Sequence, residues 1–142
     1  MNETAVALPA AERDALGRLA DAILPRTETM PAASEVGVPG VLIDRVFRTA
    51  PALAPRVRAA LAGIGADPSA SLAEMRRDAP SLFRDVMTAV CAAYYLAPEV
   101  KDRLGYHGQE ARRIDVHELP AYLADGTLDR VVARGPRYRD ID

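Results

Sequence analysis

The chain is poor in cysteine, aromatic carbon and lysine, and it has no tryptophan at all. A lone cysteine, Cys91, has no partner for an intrachain disulfide, and it excludes a CxxC metal knuckle or a CxxCH haem attachment. It stands in the apolar run Val86-Met87-Thr88-Ala89-Val90-Cys91-Ala92-Ala93, where a small buried thiol is expected rather than a nucleophile. With aromatics at 5%, the core has to be built from Ala, Leu, Val and Ile, which are materials for close-packed helices. Lys101 is the one lysine against 17 arginines, the bias of a GC-rich genome. A net charge of −2 provides no field to attract nucleic acid or an anionic membrane. No run of about 18 apolar residues occurs, so no spanning helix is expected. The start Met1-Asn2-Glu3-Thr4-Ala5-Val6-Ala7-Leu8-Pro9 lacks a basic segment, a long apolar stretch and a twin-arginine pair, so a cytoplasmic location is expected.

What is present is enough for one core. At 142 residues, 49% apolar and 27% charged, the chain has the size and balance of a single globular domain. Leu16, Leu19, Ala20, Ile23 and Leu24 recur at helical spacing between Pro9 and Pro25, and proline ends the run. Residues 25–39 hold three prolines and a glycine and read as a fixed loop. Pro39 then opens a helix to about Thr49 that buries Leu42, Ile43, Val46 and Phe47. Pro51 to Ile64 reads as another helix, and Ser71-Leu72-Ala73-Glu74 as a capping box starting a helix that ends near Ala79. Pro80 opens the longest apolar helix, with Leu82, Phe83, Val86, Met87, Val90, Cys91, Tyr94 and Tyr95 as its inward stripe. Pro98 to Leu104 is a short helix closed by Gly105.

The pattern divides the chain into a helical domain, residues 1–104, and an extended C-terminal arm, residues 105–142. The arm has no sustained period apart from one helical turn near Thr127 to Ala133, yet it keeps Tyr106, Ile114, Leu119, Tyr122, Leu123 and Tyr138. A segment too apolar for simple disorder and too irregular for a domain is suited to lie on a partner. The run Arg130 to Arg139 adds arginine, tyrosine and a Gly-Pro turn, the residue types that dominate protein interfaces. The expected fold class is therefore all-α, about five or six helices followed by a long irregular arm.

Chemistry is harder to find. There is no GxSxG elbow, P-loop, HExxH or strand-bound GxGxxG. His107 and His117, with Glu110, Asp115 and Glu118 nearby, could assemble a metal or acid–base site, though their spacing fits no compact ligand motif. That leaves a small enzyme or metal-binding protein as one alternative and a helical adaptor for another protein as the second. No catalytic, cofactor-binding or metal-ligating residue is assigned.

Three blocks carry a family resemblance. Leu24-Pro25-Arg26-Thr27-Glu28-Thr29-Met30-Pro31-Ala32-Ala33, continued by Glu35-Val36-Gly37-Val38-Pro39 and Ile43-Asp44, resembles the "IPRTDTPGA…AGVPxFID" block of the gluconate 2-dehydrogenase subunit 3 family. Leu104-Gly105-Tyr106-His107-Gly108-Gln109 is similar to its "LGYPGQ" block, with His107 where proline is common. Arg134-Gly135-Pro136-Arg137-Tyr138-Arg139 resembles an "RGPxYR" ending. The resemblance implies a small helical subunit, itself non-catalytic, that binds and stabilises a large FAD-dependent dehydrogenase of the glucose-methanol-choline type. That partner would oxidise a sugar, glycoside or related alcohol, with FAD in the partner and a cytochrome c or another acceptor taking the electrons. Many members carry a twin-arginine signal, which is missing here, so a cytoplasmic complex is expected, or a periplasmic one if a partner's signal carries the chain. The contact regions expected are the loop 25–39 and the arm, with Arg26, Thr27, Tyr106, Tyr122, Arg134, Tyr138 and Arg139 as partner-binding residues.

Overall fold

A computed structural model describes residues 7–109 and 125–135. The described residues contain seven α-helices, one π-helical turn and no strand, so the fold is all-α. The chain divides into two compact units, Met1–Gly108 and Gln109–Asp142.

In the first unit, α1 (Ala10–Ile23) starts after Pro9 and stops where Leu24 turns its amide back to the Ala20 carbonyl ahead of Pro25. Its inward stripe is Leu16, Gly17, Leu19 and Ala20. The helix expected from Pro39 is split. Val38–Leu42 forms a π-helical turn broken by Gly40, whose φ of −96° and ψ of −131° are not helical, and α2 (Ile43–Thr49) follows. Arg13 on α1 explains the break. Its guanidinium donates to the carbonyls of Pro39 (2.7 Å) and Gly40 (3.0 Å), and it holds both oxygens of Asp44. Those carbonyls are thereby satisfied outside a regular helical ladder.

Next come α3 (Leu53–Ala62), α4 (Pro68–Asp78), α5 (Pro80–Leu96) and α6 (Pro98–Arg103). The capping box expected at Ser71 is not the start of α4. Asp67 caps that helix, accepting from the amides of Ser69 and Ala70, with Pro68 at the first helical position. Ser71 lies in the first turn, where its hydroxyl accepts from the Gly65 amide and donates to the Asp67 carbonyl. α6 ends in a Schellman motif, as the Gly105 amide donates to Asp102 and the Tyr106 amide to Lys101. Gly105 has φ of +65°, a left-handed conformation that glycine adopts without penalty.

The central element is α5, packed against α2, α3, α4, α6 and the π turn. It presents Val86, Ala89, Val90, Ala93 and Tyr94 to the core. The stripe read from the sequence placed Tyr95 and Cys91 inward as well. Tyr95 is 52% exposed and Cys91 only half-buried, because each helical position turns the side chain by about 100°, and these two fall past the edge of the stripe centred on Val86, Ala89, Val90, Ala93 and Tyr94. Ala89 and Ala93 fill the inward positions, and their small size lets neighbouring helices approach closely. Phe47, Leu16, Leu19, Ile43, Val38, Val57 and Val100 complete a core with no buried polar or charged residue among the described ones.

In the second unit, α7 (Asp129–Arg134) is the described helix, and it buries no residue.

Candidate partner-binding site

The loop between α1 and the π turn is held in place by its own polar groups and by three helices. Within it, the Arg26 guanidinium donates to Glu35 Oε1 from Nε (3.0 Å) and from Nη2 (2.6 Å), and the Ala32 amide donates to Glu35 Oε2. The Arg26 guanidinium and the Ala32 amide together hold the Glu35 carboxyl below the usual glutamate range. Thr27 and Met30 bond reciprocally, since the Thr27 amide donates to the Met30 carbonyl and the Met30 amide to the Thr27 hydroxyl. From α1, Asp21 accepts from the Ser34 amide and hydroxyl, both at 2.7 Å. From α5, the buried Tyr94 hydroxyl donates to the Pro31 carbonyl at 2.8 Å. From α6, Arg103 donates to the Thr29 carbonyl while also pairing with Glu99.

The consequence is a proline-containing loop whose inner face, Pro31, Ala32 and Ala33, is buried and whose outer face, Pro25 to Thr29, is exposed. A surface ordered in advance loses little conformational entropy when a partner covers it. Arg26 is largely exposed but turned onto Glu35, so its guanidinium stiffens the loop and shares its remaining donors with solvent. Thr27 is exposed beside it. Tyr106 follows the Schellman turn of α6, the helix fastened to the loop through Arg103, and is 52% exposed. Leu104 beside it is 55% exposed.

Of the residues expected to bind a partner, Arg26, Thr27 and Tyr106 thus lie in the first unit at the loop and the end of α6. Arg134 is exposed at the end of α7 in the second unit. Tyr122, Tyr138 and Arg139 lie outside the described residues, as does His117 of the alternative metal reading, together with Glu110, Asp115 and Glu118. His107 is exposed in the irregular chain after α6. Among the described residues no group of three or more His, Cys, Asp or Glu side chains could hold a metal ion. Burial pushes the Cys91 thiol up from its usual pKa, which lowers its thiolate fraction at neutral pH.

The fasteners escaped sequence reasoning: Asp21, Tyr94 and Arg103 reach the loop from helices distant in sequence, and Glu35 acts through a loop conformation that no periodic pattern encodes. A separate feature also escaped it. Between α2 and α5 runs an open groove of about 360 Å³ with Val46, Ala50, Leu53, Ala92 and Leu96 on its floor and Arg45, Thr49 and Thr88 at its edges.

Among the described residues no helix is long and apolar enough to cross a membrane. Comparison with protein-family models, with curated proteins and with solved structures found no match.

Proposed function

We propose that this chain is a non-catalytic small subunit that binds and stabilises a large FAD-dependent dehydrogenase of the glucose-methanol-choline type, acting on a sugar, glycoside or related alcohol. The observation that carries the reading is the loop 25–39. The segment with the strongest resemblance to the gluconate 2-dehydrogenase subunit 3 family is also the one that the helical body fastens at Ser34, Pro31 and Thr29, leaving Pro25 to Thr29 facing outward. These bonds add to the stability of the fold, and a docking surface ordered in advance also gains affinity from them. Tyr106 and Leu104, exposed at the end of the helix that braces the loop, add apolar area of the kind that anchors interfaces.

In such a complex a flavin held by the partner would supply the redox chemistry. The residues of this chain orient and hold: Arg26 and Thr27 through the loop, Tyr106 through the turn after α6, and Arg134, Tyr122, Tyr138 and Arg139 through the arm.

The test is purification of the full chain from its native host under mild salt. A stoichiometric large polypeptide with flavin absorbance is expected, and its recovery should fall about tenfold or more when Arg26→Ala and Tyr106→Ala are combined. Isolation of the chain as a monomer without a flavoprotein would overturn the proposal.

A further inference from the structure

The groove between α2 and α5 has a chemistry of its own. Its floor is apolar, and the two hydroxyls at its edge are committed to their own helices: Thr49 donates to the Arg45 carbonyl (3.1 Å) and Thr88 to the Arg84 carbonyl (2.8 Å). No carboxylate lines it. A polar metabolite would find no convergent set of hydrogen-bonding groups there to fix its orientation.

The charged residue lining the groove is an arginine, Arg45. Among the described residues, Arg13, Arg26, Arg56, Arg58, Arg77 and Arg103 each pair with a carboxylate. Arg45 at the groove edge, Arg48 one turn along α2 and Arg84 one turn before Thr88 on α5 have no such pair among those residues, and all three are exposed. The acids next to Arg45 and Arg84 in sequence, Asp44 and Asp85, pair with Arg13 and Arg56. On the same helical segments, Val41 is 69% exposed and Tyr95 is 52% exposed. An apolar trough with exposed arginines on both helices complements one kind of surface, an apolar ridge flanked by carboxylates.

We propose that the α2–α5 groove is a docking site for an amphipathic helix of a protein partner whose apolar ridge is bordered by Asp and Glu. The site is separate from the loop 25–39, and the inference stands whether or not the partner is a flavoprotein.

Two synthetic helical peptides with the same leucine ridge, one flanked by glutamates and the other by lysines, provide the probe. Titrated into the isotope-labelled full chain, the glutamate peptide should shift the NMR signals of Thr49, Thr88 and Ala92 and bind at least about tenfold more tightly than the lysine peptide, with the gap narrowing as salt is raised. Ala92→Glu and Arg45→Glu, both at exposed positions, should each weaken binding about tenfold or more with the circular dichroism unchanged. Equal binding of the two peptides, no binding of either, or shifts confined to other residues would overturn the proposal. So would two other occupants: anionic phosphatidylglycerol vesicles bound through the same residues without selective peptide binding, or a concentration-dependent dimer mapping to them.

Discussion

At the scale of single residues, the most consequential polar contact is the one a sequence pattern does not reveal. Tyr94 looks like core material, and its ring is core material, but its hydroxyl also reaches Pro31 across 63 positions of sequence. Burial pushes the phenol up from its usual pKa, consistent with a proton held for donation. Tyr94→Phe keeps the ring and strands the Pro31 carbonyl, so it should cost about 1–2 kcal/mol in urea unfolding. Glu35 behaves differently because it is solvent-exposed. Its pKa lies below the unfolded value of about 4.3, so its contribution to the loop is complete above that value and lost as pH falls through the lower folded one. The Ala32 amide, which donates to Glu35, should report this as an NMR shift that titrates below pH of about 4.3 with the rest of the helical domain unmoved.

At the scale of elements, the sequence was most legible where proline and helical period agreed. Pro25, Pro80 and Pro98 mark the ends of α1 and the starts of α5 and α6, since proline constrains its own φ and the residue before it. It was misleading at α4, where two capping patterns overlap. Ser71 to Glu74 fits the capping box, but Asp67-Pro68 lies four residues earlier and forms the cap. Asp67→Ala should therefore lower stability by about 1 kcal/mol, and Glu74→Ala should change it by less than about 0.5 kcal/mol, both read from thermal unfolding. The π turn was illegible for a different reason. Its break at Gly40 is enforced by Arg13, a residue of another helix whose exposed-looking position in α1 does not advertise that it holds Pro39, Gly40 and Asp44 together.

For the whole molecule, an aromatic-poor sequence was sufficient to specify a helical core around α5, because alanine at positions 89 and 93 lets neighbours approach closely. The site was legible only in part. Residues 25–39 announced a fixed loop through their prolines, but the means of fixing it are tertiary, and the α2–α5 groove depends on two helices meeting at particular faces.

That fastening has a consequence for proteolysis. The Arg26–Thr27 bond lies in exposed chain and has the residue trypsin cuts after, yet a protease must draw several residues of backbone into extended form, and here Thr27 is tied to Met30, Ala32 to Glu35 and Ser34 to Asp21. Limited trypsin digestion should leave this bond intact in the native chain, while Glu35→Ala, which frees Arg26 and the Ala32 amide, should turn it into an early cleavage point seen by mass spectrometry. Resistance to cutting at an exposed arginine is thus the everyday sign of a loop that the rest of the protein holds in one shape.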